Sequence, residues 1–274
     1  MITRTLSGII GGSLVIAALI FNNSFPIVIN LMIALVCILS TYEIFSVIGK
    51  SEMLEILIPS MIFSAILPLF GYGGIWRTVW YIYTLILFCF LIIRHKYLNF
   101  KDIAMIYSLT LLITFSLSTI INIRNWSGKY STFYVLFTLC VAWMSDTGAY
   151  FIGTLFGKRK LFPEISPKKT IEGVFGGIIT CICVNLIIAS VFKIFIFTEV
   201  SVNYFNIVFI SFVGSIISVI GDLCFSLIKR ACNKKDFGTV IPGHGGILDR
   251  FDSVIFVAPF VYLIVHYLNI FNTL

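Results

Sequence analysis

Apolar residues along this chain fall into nine long runs separated by short polar segments. Most runs approach the roughly 20 residues that a helix needs to cross a bilayer, and their length and composition indicate membrane helices. The predicted spans are 6–21, 27–48, 54–71, 75–93, 103–123, 130–156, 172–196, 203–229 and 251–271. The sequence therefore predicts an all-α, polytopic integral membrane protein with about nine transmembrane helices.

The composition is not that of an ordinary soluble protein. The positive net charge must therefore be interpreted for a membrane protein. The 274 residues are 59% hydrophobic and 11% charged, whereas a soluble domain is about 45–50% apolar. The formal net charge is +7, but the basic residues are divided among short loops. This distribution does not indicate nucleic-acid binding. It fits loops that lie near anionic lipid or bind an anionic substrate.

The distribution of lysine and arginine predicts the orientation in the membrane. With nine spans, fifteen of the nineteen basic residues lie on the face that holds the N-terminus, and the positive-inside rule places this face in the cytoplasm. The C-terminus is then outside. We divide the chain into N-terminal transmembrane helices (1–125) and a C-terminal catalytic transmembrane region (126–274) with cytoplasmic loops 157–171 and 230–250. Most of the charge bias comes from these two loops.

Residues 221–252 carry nine charges within thirty-two residues, between two apolar runs. Charge is costly near lipid, so this density indicates a functional site. Asp222, Ser226, Lys229 and Arg230 have helical spacing and share one helix face. We interpret Asp222 as a carboxylate that holds a cation. The alternative is an acid that a neighbouring helix neutralises.

A glycine-rich loop and the start of the ninth span follow. Three glycines in the run from Pro242 to Gly246 allow backbone amides to approach an anion closely, although this run alone is also compatible with a simple turn. Asp249 and Asp252 lie three residues apart at the start of the ninth span. Their alternative role is to cap that helix and complement its dipole.

A third polar patch runs from the sixth span into loop 157–171. Asp146 lies well inside an apolar helix and needs a partner. Gly157-Lys158 is similar to part of a phosphate-binding loop, but the full pattern fails at Ile152 and Arg159. Lys168 and Lys169 are candidates for phosphate binding or, alternatively, a solvated pair. Glu43 is another acid inside an apolar helix, with no predicted role beyond structural pairing.

These groups are chemically compatible with one another. Basic side chains and glycine amides suit phosphates, while paired carboxylates suit Mg²⁺. Acids become useful in a phosphate site when a metal lies between carboxylate and phosphate oxygens. The predicted site is at the cytoplasmic interface, where lipid headgroups and soluble nucleotides meet.

Here the motifs resemble those of the phosphatidate cytidylyltransferases, also called CDP-diacylglycerol synthases. Residues 226–252 are similar to the family signature without a departure. The matching residues are Ser226-x-Ile228-Lys229-Arg230, Lys235-Asp236-x-Gly238, Pro242-x-His244-Gly245-Gly246-Ile247 and Asp249-Arg250-Phe251-Asp252. Asp146-Thr147-x-Ala149-Tyr150 and Ser166-Pro167-Lys168-Lys169-Thr170-x-Glu172-Gly173 resemble two further family blocks. The resemblance covers about residues 140–255.

The resemblance implies a reaction in phospholipid biosynthesis, in which CTP and phosphatidate give CDP-diacylglycerol and pyrophosphate. It also implies a homodimer that requires Mg²⁺, with Asp222 and Asp249 as metal ligands for one or two cations. We assign catalytic roles to Asp222, Lys229, Arg230, Lys235, Asp236, His244, Asp249, Arg250 and Asp252. We assign substrate binding to Asp146, Ser166, Lys168, Lys169, Glu172, Ser226, Gly245 and Gly246. The short chain resembles the bacterial form, which implies the bacterial inner membrane.

Two other function classes compete with this interpretation. A CTP-dependent polyprenol or lipid kinase is similar in its C-terminal half, but its acceptor hydroxyl needs a base. A secondary transporter uses buried acids to bind ions. Clustering of the charges at one interface, rather than at the midplane, disfavours the transporter.

Overall fold

The structure, a computed structural model, describes residues 2–22, 24–71, 74–241, 243 and 245–273. Its regular elements are mostly helical, as the apolar runs predict. The helices are α1 (Ile2–Phe21), α2 (Ile27–Ile48), α3 (Leu54–Phe70), α4 (Ile75–Ile93), α5 (Phe100–Trp126), α6 (Ser131–Phe156), α7 (Ile171–Phe195), α8 (Tyr204–Ala231) and α9 (Leu248–Val265), with a 3-10 turn at Gly128–Tyr130. The strands are β1 (Lys160–Phe162), β2 (Ser166–Thr170), β3 (Val200–Val202) and β4 (Phe271–Thr273).

Six described helices are long and apolar enough to cross a membrane. They are α2, α4, α5, α6 with its preceding turn, α7 and α8. Helix α3 and the segment Gly11–Phe21 of α1 are apolar but shorter. Helix α9 begins with Asp249, Arg250 and Asp252 among its first five residues. The prediction of a polytopic helical membrane protein is confirmed, whereas the count of nine spans stays a prediction.

The described chain divides into two compact units. The first contains the described residues up to Ile121 together with Ala231–Phe251. Its core is an apolar cluster contributed by α2, α3, α4 and α5, in which Phe63 stacks on Tyr83 with 4.4 Å between ring centroids. A glycine ends α2, because Gly49 adopts a left-handed conformation (φ 75°) that side chains rarely adopt. An ion pair of 3.2 Å joins Lys50 to Asp102 near the ends of α2 and α5.

The second unit contains Asn122–Arg230 and Asp252–Leu274 in its described part. Helices α6 and α7 pack closely along their length, and aromatic side chains fill the end of the unit that holds β4. Phe271 lies between Tyr130 and Phe133, with 4.7 Å between its ring centroid and each of theirs. The sequence division at residue 125 stays a prediction about function, because the compact units are discontinuous in sequence.

One boundary predicted from the sequence is wrong. The ninth span was predicted to reach 271, but α9 ends at Val265 and residues 271–273 form a strand antiparallel to β3. The apolar run misled the prediction because a short buried strand and a helix end are equally apolar. Loop 157–171 contains the antiparallel hairpin of β1 and β2, in which Lys160 lies opposite Thr170.

Helices α6 and α7 pack closely because small residues lie between them. A larger residue at such a position should therefore lower the stability of the protein. A methyl group at Gly177 would lie 2.5 Å from the carbonyl oxygen of Ser145, a backbone atom that cannot move independently. Overpacking of this kind costs about 1–3 kcal/mol. We expect Gly177→Ala to lower the melting temperature by about 2–12 °C, measured by intrinsic fluorescence in detergent.

The matched control for this prediction is Gly12→Ala. A methyl group at Gly12 meets no other atom within 4 Å, and alanine has the higher helix propensity. We expect this variant to melt at or above the wild-type temperature. Equal melting temperatures for the two variants would contradict the close approach of α6 and α7.

Candidate functional site

A cavity in the second unit brings together residues from three separate parts of the sequence. Its volume is about 610 Å³, which lies within the range typical of small-molecule sites. Helices α6, α7 and α8 and the hairpin line it. The lining residues are Asp146, Ala149, Tyr150, Gly153, Thr154, Gly157, Lys160, Ser166, Lys168, Lys169, Thr170, Val174, Val219 and Asp222.

An ion pair between Asp222 and Lys169 lies at this cavity. The Oδ2 atom of Asp222 contacts the Nζ atom of Lys169, and about a fifth to a quarter of each side chain is exposed (24% and 19%). Ser226, one helical turn after Asp222, donates a hydrogen bond to Oδ1 of Asp222 at 3.3 Å. The helical spacing predicted from the sequence therefore produces a direct contact within α8.

Three carboxylates of the second unit interact electrostatically. Asp146, Asp222 and Lys229 are near enough to Asp252 to interact with its charge. Asp252 and Lys229 are nearly buried, with 6% and 8% exposed. With Lys169 included, three acids face two lysines. This excess of negative charge at a partly buried position favours the binding of a cation.

Hydroxyl groups supply the partners that the sequence predicted Asp146 must have. Ser253 donates to Oδ2 of Asp146 at 2.6 Å, and Ser218 donates to Oδ1 at 3.4 Å. The neighbouring Asp252 accepts a 2.8 Å hydrogen bond from the backbone N–H of Ser253. Because hydroxyl donors are neutral, they satisfy Asp146 without adding positive charge to the cluster.

The hairpin before α7 positions the lysines and uses Glu172 for its own structure. Thr170 caps α7 by accepting a 3.1 Å hydrogen bond from the N–H of Gly173. Glu172 accepts hydrogen bonds from the N–H groups of Lys158 and Arg159 at 3.1 and 3.2 Å. The amide of Lys158, which belongs to the Gly157-Lys158 pair similar to part of a phosphate-binding loop, thus binds a carboxylate of the same chain.

The glycine loop, defined here as residues 232–247, lies in the first unit. Gly243 and Gly245 have φ angles of 78° and 85°, which favour glycine. Oδ2 of Asp249 accepts hydrogen bonds from the N–H groups of Phe237 and Gly246, each at 2.9 Å. Asp249 therefore holds this loop closed, in addition to the metal binding that the resemblance implies.

The start of α9 is capped by an acid from α2. The two carboxylate oxygens of Glu43 accept the N–H groups of Ile247 and Leu248, each at 2.8 Å. The sequence suggested only Asp249 and Asp252 as residues that cap α9, and Glu43 is a further acid at this terminus. Sequence reasoning gave Glu43 no such role, and the signal that pointed to it was its charge inside an apolar helix.

The positions of the acids support a metal site in one respect and not in another. Within the described ranges, no group of three or more His, Cys, Asp or Glu side chains is arranged to hold a metal ion. The charge excess around Asp252 nevertheless suits a cation, and carboxylates are ligands that Mg²⁺ prefers. Asp146 and Asp222 are the members of this cluster that line the cavity.

The family model described as "Cytidylyltransferase family" matches residues 2–268. The chain belongs to this family. A protein named phosphatidate cytidylyltransferase from Bacillus subtilis (strain 168) is 38% identical over 180 residues, which cover 66% of this chain and 64% of the relative. Proteins of the same name from Staphylococcus epidermidis (strain ATCC 35984) and Staphylococcus aureus (strain COL) are 45% and 40% identical over 131 residues, or 48% of each chain. The chain thus spans less than two thirds of these curated relatives.

The residues of the cytidylyltransferase signature are distributed over both units. In the second unit, Ser226 and Lys229 are buried and Arg230 is exposed, with its Nε atom 3.5 Å from the carbonyl oxygen of Ile165. In the first unit, Lys235, Asp236 and Arg250 are exposed, whereas Gly246 is buried. Pro242 and His244 lie outside the described residues.

Cavity residues that sequence reasoning missed are mostly uncharged or lie between the family blocks. Lys160 of the hairpin and Thr154 of α6 line the cavity but belong to neither quoted block. Ser218 and Ser253, the donors to Asp146, follow no recognisable spacing in the sequence. Lys160 was the one member with a usable signal, because it adds charge to the lysines of loop 157–171.

Proposed function

We propose that this cytidylyltransferase-family protein is a phosphatidate cytidylyltransferase, which converts CTP and phosphatidate to CDP-diacylglycerol and pyrophosphate in phospholipid biosynthesis. One observation carries the proposal. Lys168 and Lys169 line a single cavity with Asp146 and Asp222, although Asp146 and the two lysines come from separate family blocks and Asp222 lies four residues before the third block. The names of the relatives from Bacillus and Staphylococcus support the same substrates.

The chemistry that this proposal requires is mainly electrostatic. A phosphate oxygen of phosphatidate attacks the α-phosphorus of CTP, an O–P bond forms, and the bond to the β-phosphate oxygen breaks to release pyrophosphate. A phosphate monoester has a second pKa of about 6, so the attacking oxygen is already ionised near neutral pH. No strong general base is needed, and catalysis depends on positioning two polyanions and neutralising their charge.

The lysines of the cavity suit this task. Lys168 is exposed at the cavity, and Lys169 lies half-buried beside Asp222. Charge-assisted hydrogen bonds from such groups to phosphate are about twice as strong as neutral ones. In the proposal these lysines hold phosphate oxygens, while Arg230, Lys235 and Arg250 neutralise the remaining charge.

Binding of Mg²⁺ by Asp222 and Asp249 stays a prediction, as does the homodimer. The acid-rich cluster of the second unit supports a cation there. When bound by these carboxylates, Mg²⁺ would supply positive charge that offsets the charge of the phosphates. The residues of the chain would then orient the substrates and exclude water.

Pyrophosphate release tests the proposed activity directly. Purified protein in mixed micelles should release pyrophosphate only when CTP and phosphatidate are both present. ATP in place of CTP, or diacylglycerol in place of phosphatidate, should give no release. A protein that binds both substrates without releasing pyrophosphate would contradict the proposed reaction and favour the transporter alternative.

The proposed orientation places the N-terminus and the loops that bear the site in the cytoplasm of a bacterial cell. We expect Lys235→Cys to react with an impermeant thiol reagent in inverted vesicles but not in intact spheroplasts. Glu199→Cys, in the connection between α7 and α8, should show the opposite pattern. Both belong in a background without accessible native cysteines, which requires replacing the exposed Cys89 and Cys183 and the partly exposed Cys232 near the end of α8. Labelling of Lys235→Cys from outside would reverse the orientation.

A further inference from the structure

Glu43 is a buried acid, and both of its carboxylate oxygens accept backbone hydrogen bonds from the end of the glycine loop and the start of α9. Only 1% of the residue is exposed, and it lies in the apolar helix α2. Its Oε1 and Oε2 atoms each accept one backbone N–H, from Ile247 and Leu248, at 2.8 Å. A buried charge is strongly unfavourable without such partners. The position of Glu43 therefore depends on the loop, and the loop depends on Glu43.

The two amides that Glu43 binds are at the start of α9. The first N–H groups of a helix have no partner within the helix and carry partial positive charge. Glu43 satisfies this requirement at Ile247 and Leu248. Asp249 and Arg250 follow directly in the first turn of α9, so their backbone positions are determined by the two hydrogen bonds to Glu43.

Two glycines pack against the Glu43 carboxylate from the glycine loop. A methyl group at Gly238 would lie 2.7 Å from Oε1, and one at Gly246 would contact Oε2 still more closely. Neither glycine has a positive φ angle, so the requirement for glycine here comes from space rather than backbone conformation. Two separate positions of the glycine loop thus pack against one carboxylate.

Asp249 provides the second attachment of the same loop. Its Oδ2 atom accepts the N–H groups of Phe237 and Gly246. Together the two carboxylates bind backbone amides at four positions between 237 and 248. Lys235 and Asp236 lie directly before the first of these positions, Arg250 lies two residues after the last, and all three are exposed.

We infer that Glu43 is a positioning residue for cytidylyl transfer: it acts through the glycine loop and the start of α9, without touching substrate. This inference rests on the proposed function, because the exposed residues that it positions include Lys235 and Arg250, which that proposal assigns to neutralising phosphate charge. A substitution of Glu43 does not remove these side chains, but it removes hydrogen bonds that hold the backbone by which they are oriented. Turnover should therefore suffer more than substrate binding.

The test uses Glu43→Gln in the full-length protein, reconstituted in lipid nanodiscs. Glutamine keeps the size of the side chain but presents an NH₂ group to one of the two N–H donors, so one hydrogen bond is lost. We expect hydrogen–deuterium exchange in a peptide spanning residues 245–250 to accelerate at least about tenfold. We also expect kcat to fall at least about tenfold while KM for CTP stays within about threefold.

Thr41→Val is the matched control in the same helix. Thr41 is fully buried, and its hydroxyl oxygen has no hydrogen-bond partner among the described residues. This variant should match the wild type in exchange, kcat and KM. If Glu43→Gln does not fold, Gly238→Ala probes the same contact from the loop, since its methyl group would displace the carboxylate. It should accelerate exchange and lower kcat in the same way.

The outcomes separate this inference from the proposed function. Unchanged exchange at 245–250 in the folded Glu43→Gln variant would overturn the inference, and so would faster exchange with unchanged kcat. An inactive wild-type protein would contradict the proposed function instead, and the exchange measurement would still decide whether Glu43 holds the loop.

Discussion

Asp222→Asn should lower kcat/KM for phosphatidate and CTP at least about 100-fold while leaving the protein folded. Asp222 lines the cavity, forms an ion pair with Lys169 and accepts a hydrogen bond from Ser226. Asparagine preserves its size but removes the negative charge. Loss of one preorganised electrostatic contact at a reacting centre costs about 10²–10³ in rate. Steady-state kinetics of purified variants at several Mg²⁺ concentrations measure the effect.

Asp102→Asn is the matched control for this substitution. Asp102 also forms an ion pair with a lysine, Lys50, and the exposure of its side chain is 22%, against 24% for Asp222. Because Asp102 has no place in the proposed site, this variant should retain wild-type kinetics. If Asp222 is a metal ligand, its variant should also need more Mg²⁺ for half-maximal activity. Equal kinetics for the two variants would contradict a role in the reaction and would favour the alternative, in which Asp222 is an acid that its neighbours neutralise in the folded protein.

Lys169→Gln should lower kcat/KM by about 10- to 150-fold. Lys169 lies at the cavity that would receive the phosphates, and a hydrogen bond to a charged group contributes about 1.5–3 kcal/mol. The substitution also leaves Asp222 without its ion-pair partner, which adds repulsion toward the incoming anions. The same kinetic assay measures this effect, with inorganic salt held constant because screening reduces it.

Lys50→Gln tests whether loss of any half-buried lysine has the same consequence. Its side chain is 23% exposed and pairs with Asp102 at 3.2 Å. We expect this variant to keep wild-type kcat/KM. The double variant Asp222→Asn with Lys169→Gln should be much less impaired than the product of the single effects, because the two side chains contact each other. Additive effects would mean that they act independently.

Helical periodicity and apolar run length could predict much of the fold. The helices α2 and α4 have the predicted bounds, and the spacing of Asp222 and Ser226 produces the contact that a helix face requires. Apolar character alone could not predict the strand Phe271–Thr273. Its residues pair with Val200–Val202, about seventy positions away, and such long-range pairing leaves no periodic signal in so short a segment.

The partners of the site residues were less predictable than the residues themselves. Spacing and charge identified Asp146, Asp222 and Lys169 as candidates, but not that Lys169 pairs with Asp222 or that Ser253 donates to Asp146. Such contacts depend on how distant helices pack. Glu43 is the extreme case, since it binds amides 204 and 205 positions along the chain.

The transfer of label from CTP tests the central claim most directly. Purified protein is incubated with phosphatidate, Mg²⁺ and CTP labelled with ³²P at either the α or the γ position, and the lipids are then extracted. Cytidylyl transfer predicts that α-label appears in CDP-diacylglycerol and that γ-label appears only in pyrophosphate. Appearance of γ-label in a lipid would identify a kinase, and absence of both labels from the lipid would contradict the account.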